Sequence, residues 1–174
     1  LPGAEAFEFP GRSDVGVVLI HGFTGAPAEM RPIGEFLAEH GIASAGVRLR
    51  GHGTHPEDMV GRTYADWIDD VESVLADLLT RCDRAVLVGL SMGGTLALNV
   101  AARHADDPRV AGVMPICAPI VLDDWRLGLV RYLSRVVRWQ GWGLPDIKDR
   151  DGWNKHVGYR RFRLSALVQL IDLM

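Results

Sequence analysis

The feature that most constrains this chain is a short apolar run, residues 85–89, which passes without alternation into Gly89-Leu90-Ser91-Met92-Gly93 and then into helical periodicity reaching about Ala105. An apolar run of that length with no polar face reads as a strand buried on both sides, the kind found in a parallel sheet covered by helices. The pattern recurs. Residues 15–20 are a β-branched run that empties into a glycine-rich loop, His21-Gly22-Phe23-Thr24-Gly25. Residues 28–40 place Met30, Ile33, Phe36 and Leu37 at helical spacing and stop at Gly41, a residue suited to a left-handed helix end. Residues 42–49 return to strand character and 50–59 read as a loop. Thr63 and Asp66 have the spacing of a capping box and open a helix through Leu79, with Trp67, Val71, Val74, Leu75 and Leu78 on its buried stripe. Residues 110–116 are a further apolar strand. Strands alternating with helices define an α/β class with a mainly parallel sheet.

Length and charge narrow the function. A chain of 174 residues with 48% hydrophobic and 24% charged residues can bury a core as one domain, which excludes disordered and collagen-like classes. A net charge of −3 supplies no electrostatic footprint for nucleic acid. The charge is uneven, however: residues 1–120 hold nine basic and 16 acidic side chains, and residues 121–174 hold ten basic and six acidic. Cys82 and Cys117 form no Cys-x-x-Cys pair, so no metal site is indicated and both read as structural thiols. No apolar stretch is long enough for stable membrane insertion, and no secretory leader is seen, which points to a cytoplasmic protein. The first residue is Leu1 rather than methionine, consistent with processing or truncation at that end.

The chemistry concentrates at residues 89–93. Gly89 and Gly93 let a strand turn into a helix so tightly that the Ser91 hydroxyl stands in the open above the helix N-terminus. An acyl carbonyl placed there meets both a nucleophile and a positive dipole. The bland readings are a chance Gly-x-Ser-x-Gly or a phosphate-binding turn; the flanking strand and helix favour the nucleophile. Such a turn supplies one oxyanion donor, the Met92 N–H, and the tetrahedral intermediate needs another from a different loop. The Phe23 N–H is the candidate. His21 reads as a residue that orients this loop rather than as a general base.

From Val17 to about Pro119 the chain resembles bacterial α/β-hydrolase carboxylesterases of the monoacylglycerol-lipase-like type. The resemblance rests on the 21–25 loop, the Arg50-Gly51-His52-Gly53 turn, the Trp67 helix, the 89–93 turn and Cys117-Ala118-Pro119, in that order. It implies an α/β-hydrolase fold, incomplete at its C-terminal end, with a nucleophile-bearing core over residues 1–120 and a helical cap, or lid, over 121–174. It further implies a cofactor-independent serine esterase acting on small-molecule esters, with Ser91 as nucleophile, Phe23 and Met92 as oxyanion donors, and no catalytic part for His52.

In this fold the acid and the histidine follow the serine in the chain. Downstream of Ser91 stand only His104, on the order of 18 Å along the next helix at 1.5 Å per residue, and His156, in an irregular segment. Asp123 and Asp124 follow a strand end but fall where the resemblance starts the lid. The expectation is therefore that the triad Asp and His lie beyond Met174, and that the 174 residues alone are nearly inactive.

The cap is expected to contain a helix over 125–138 with Arg131, Arg135 and Arg138 on one face and Leu129, Leu133 and Val136 elsewhere, then a loop over 139–155 and a helix over 164–174. No strand is expected after residue 116, leaving residues 110–116 as a bare sheet edge. Four of the five tryptophans, Trp125, Trp139, Trp142 and Trp153, fall in the cap. A packed cap with solvated arginines is the plainer reading, and transient contact with a lipid surface is the alternative. Two other functions share these residues: another chemistry at the same serine, such as acyl transfer, perhydrolysis or C–C hydrolysis, and a non-catalytic acyl-binding or interaction module without a triad.

Overall fold

Residues 1–121, 125–141 and 157–174 are described by a computed structural model. In the described sheet, Val15–Ile20 (β2) has Ala43–Val47 (β3) on one side and Arg84–Leu90 (β4) on the other, and Val110–Ile116 (β5) follows β4, all parallel. Phe7–Phe9 (β1) joins the outer side of β3 antiparallel. Register aligns Ile20 with Val47 and with Gly89, and Leu90 with Ile116. The carboxyl ends of four strands therefore open at one edge, where ligands bind in sheets of this kind.

The sheet is covered on both faces, which is why its inner strands do not alternate. Val18 and Ile20 of β2 point into a core with Trp67, Val71, Leu75, Leu87 and Leu96. Their neighbours Val17 and Leu19 point into a second core with Phe7, Met30 and Val88. Arg31–Glu39 (α1) covers the second core through Ile33 and Leu37. Tyr64–Leu78 (α2) and Met92–Arg103 (α3) cover the first. Phe36, one of the four apolar residues at helical spacing in α1, is 58% exposed and lies against His40.

β5 forms where expected but is not enclosed. It is an edge of the described sheet, with Val113 and Met114 exposed. Cys82 is buried in the first core, whereas Cys117 is exposed and left-handed at φ 51°, so only Cys82 is a packing thiol.

The later residues depart most from expectation. The helix Arg126–Leu133 (α4) ends before Arg135 and Arg138, so the three arginines do not share one helical face. Leu129, Leu133 and Val136 are exposed, and Arg131 pairs with Asp172. Two short strands occur where none was expected: Trp139–Gly141 (β6) pairs antiparallel with Arg161–Arg163 (β7), and the guanidinium groups of Arg161 and Arg163 lie over the Trp139 ring at 4.7 and 4.6 Å. Leu164–Leu173 (α5) ends with Leu173 in the first core, while Tyr159, Phe162 and Ala166 pack with Met59. Asp123, Asp124, Trp142, Trp153 and His156 lie outside the described residues. Among the described residues no helix is long and apolar enough to cross a membrane, and no three His, Cys, Asp or Glu side chains are grouped to hold a metal ion.

Candidate active site

Ser91 sits between β4 and α3 at φ 53°, ψ −119°, a conformation an L-residue keeps only where its surroundings impose it. Three backbone hydrogen bonds do so: the Ser91 N–H donates to the Ile116 carbonyl at 2.8 Å, and the Ser91 carbonyl accepts from the N–H groups of Gly94 at 2.8 Å and Thr95 at 3.2 Å. The glycines make the turn possible by close approach. A Cβ on Gly89 would collide with the Gly93 carbonyl, and one on Gly93 with the carbonyl of Ile20 at the end of β2. A Cβ on Gly94 would lie 2.8 Å from Ala118 Cβ and 2.9 Å from the Gly89 carbonyl oxygen. The first turn of α3 is therefore clamped between two strand ends. Met92 is its first residue, and an N–H at that position has no partner within its own helix.

The 21–25 loop lies directly against this turn, because a Cβ on Gly22 would be 3.6 Å from Ser91 Cβ. The loop is held in several ways. The Gly22 N–H donates to Glu29 Oε2 at 2.9 Å, and the Gly25 N–H closes a turn onto the Gly22 carbonyl at 3.1 Å. Thr24 is left-handed at φ 63°, and its carbonyl accepts from the Tyr159 N–H at 2.8 Å. The Phe23 ring meets His52, Trp67 and Phe162 at centroid distances of 6.1, 6.4 and 5.2 Å.

Both histidines beside the loop are buried and neutral. His21 Nδ1–H donates to the Gly22 carbonyl at 2.9 Å while Nε2 accepts from the Leu49 N–H at 3.3 Å. With both nitrogens engaged on backbone, His21 orients two loops. Burial lowers its pKa to about 4, against the opposing effect of the Gly22 carbonyl. His52 is lowered to about 3, first by burial and then by neighbouring His21, opposed by its backbone contacts at Arg50 and Leu49. Its Nε2 is buried with no hydrogen-bond partner among the described residues.

The 50–54 turn is fastened to α2. The Arg50 guanidinium meets Asp70 at 2.7 Å and Asp66 at 3.0 Å, the Arg50 N–H donates to Asp70, and Trp67 Nε1–H donates to the Arg50 carbonyl at 3.1 Å. His104 caps the far end of α3 and contacts Glu72 at 2.6 Å, well removed from the strand ends. The structure thus brings Gly22, Ser91 and the start of α3 together and holds His21 and His52 in the supporting layer. Sequence reading had no means to find Glu29 and Tyr159, because each acts on a loop from a position that carries no motif.

The family described as serine aminopeptidase, S33, matches residues 11–165. A thermostable monoacylglycerol lipase of Bacillus sp. (strain H-257) is 38% identical over the whole chain and 67% of its own length. The chain is an α/β hydrolase of this family, of the monoacylglycerol-lipase-like type. A carboxylesterase of Bacillus subtilis (strain 168) is 30% identical over 97% of this hydrolase and 66% of its own length. A solved structure from a study of LipS and LipT, two metagenome-derived lipolytic enzymes, superposes with a TM-score of 0.89 at 35% identity, covering 99% of this chain and 69% of that one. This hydrolase therefore spans about two thirds of the length of the curated relatives it matches.

Proposed function

We propose that this protein is a serine carboxylesterase that cleaves short- or medium-chain acyl esters or monoacylglycerols through an acyl-enzyme on Ser91. The observation that carries the reading is the imposed left-handed backbone of Ser91 at a strand-to-helix turn, with the 21–25 loop packed against it. In this reading Ser91 Oγ attacks the ester carbonyl, and the oxyanion rests on the N–H groups of Met92 and Phe23. The alcohol then leaves, and water releases the acid and restores the serine.

A serine hydroxyl needs a base, and none of the five described histidines is proposed for that part: His21 is engaged at both nitrogens, His52 is buried, His40 and His104 end α1 and α3, and the His55 side chain caps residues 56–59. The base and its acid are accordingly proposed to come from outside these 174 residues, in the third of the relatives' length that they do not span. The 174-residue polypeptide should then hydrolyse a p-nitrophenyl ester within about tenfold of its Ser91→Ala variant, since only binding and the oxyanion site remain.

The test uses protein expressed from the complete coding sequence. Ser91→Ala should lower kcat by about 10⁶-fold, and an organophosphonate ester should modify Ser91, read by peptide mass. Free acid rather than a new ester should dominate when methanol is added. Retention of wild-type turnover by Ser91→Ala would overturn the assignment, and dominant ester exchange would replace hydrolysis by acyl transfer.

A further inference from the structure

We propose that Tyr159 and Phe162 form a clamp that positions the oxyanion loop, an inference that rests on the reading of Phe23 as an oxyanion donor. The two residues come from the stretch just before α5, more than 130 positions along the chain from the loop they touch, and both are buried.

Tyr159 ties together the two loops beside Ser91. Its N–H donates to the carbonyl of left-handed Thr24 at 2.8 Å. Its hydroxyl donates to the Gly51 carbonyl at 2.9 Å and accepts from the Thr54 N–H at 2.9 Å, so one side chain satisfies a donor and an acceptor of the 50–54 turn. Its ring lies nearly parallel to His52, with 12° between the planes. Three positions on, across the same small cluster, the Phe162 ring meets the Phe23 ring edge-on at 5.2 Å. Thr24 is thereby held by its backbone and Phe23 by its side chain. On the other flank Glu29 holds Gly22.

An oxyanion donor works only when it is aimed in advance at the place where charge develops, and a misplacement of about 1 Å costs on the order of 10²-fold in rate. The Phe23 amide is bracketed by groups that each fix a neighbouring atom, and two of the three are supplied by the Tyr159–Phe162 stretch. Neither residue needs to touch the substrate. They act through the loop.

The test compares wild type, Tyr159→Phe and Phe162→Leu, each expressed from the complete coding sequence, with Ser91→Ala alongside. Tyr159→Phe deletes the oxygen that braces the residue against the Gly51 carbonyl and the Thr54 N–H, so that the retained main-chain bond from the Tyr159 N–H to Thr24 is no longer anchored to the 50–54 turn. We expect kcat to fall about 10- to 100-fold with KM within about threefold, and the rate of organophosphonate labelling to fall in parallel, because its adduct uses the same donors. Amide hydrogen exchange should quicken over residues 22–25 and 50–54 and stay unchanged over β4. Phe162→Leu, which leaves the Tyr159 hydrogen bonds in place, should give a smaller kcat loss of a few-fold and decides the matter if Tyr159→Phe does not fold. Wild-type kcat in the folded variants, or an equal loss in kcat/KM through KM alone, overturns the clamp. If Ser91→Ala stays active, the esterase reading fails and the clamp falls with it; if Ser91→Ala is inactive while both clamp variants turn over normally, the clamp alone fails.

Discussion

Ser91, Thr24 and Cys117 are the described non-glycine residues with positive φ, at 53°, 63° and 51°, and all three directly follow or closely follow the carboxyl ends of β4, β2 and β5. Strain of this kind costs on the order of 1–3 kcal/mol per residue and persists where the surroundings over-determine it. Here it is gathered at one edge of the sheet. The glycines of the turn can be sorted by what surrounds them. Gly93→Ala would drive a methyl into the carbonyls of Ile20 and His21, which are backbone atoms that cannot swing aside. It should destabilise the protein by about 1–3 kcal/mol or more. Gly112→Ala in β5 meets nothing within 4 Å and has no positive φ, so it should be neutral or slightly stabilising. Urea denaturation of the two variants side by side checks this contrast, and equal effects would refute it. At this scale Gly89, Ser91 and Gly93 were legible in the sequence because the turn's demands are local. Glu29 and Tyr159 were not, since a carboxylate or a phenol reaching a distant loop leaves no trace in spacing.

Helix α2 shows how an element carries a local signal into the site. Its capping box is formed as its sequence implied: Thr63 Oγ1 accepts from the Asp66 N–H at 3.3 Å and Asp66 Oδ2 accepts from the Thr63 N–H at 2.8 Å. The helix then presents Trp67, fully buried, beneath Phe23 and His52, and Asp66 and Asp70 to Arg50. Thr63→Ala should therefore cost about 1 kcal/mol and lower Tm by about 2–4 °C for a chain of this size; calorimetry that finds no shift would count against the cap. The longer elements, β2 to β5 and α1 to α3, were readable because each carries an apolar run or a helical periodicity within its own few residues. β1, β6 and β7 are three residues each, too short to show a period, and exist only because a partner strand or a Trp139–arginine stack is present.

Across the molecule, two neutral histidines couple stability to pH. His21 and His52 are held at about 4 and about 3 in the folded state, below the ordinary value of 6.5. The unfolded chain therefore binds more protons in that interval, so stability is complete above about pH 6.5 and declines as pH falls towards 4 and then 3. Folding stability should be about 2–4 kcal/mol lower at pH 5 than at pH 7.5 from these two groups. Urea midpoints at the two pH values measure it, and a flat profile would remove the buried, neutral assignment.

The sequence by itself determined the α/β class, the order of the main strands and helices and the serine at a strand-to-helix turn. Each of these follows from steric limits and periodicities acting over a few neighbouring residues. Tertiary structure alone decided that Gly22 lies against Ser91, that His21 and His52 are buried beneath the loops, and that Tyr159 and Phe162 return to hold residues 23 and 24. Those contacts join side chains whose separation along the chain is set by how the layers stack. Packing of that kind depends on shape and burial summed over the whole core, which no local pattern encodes.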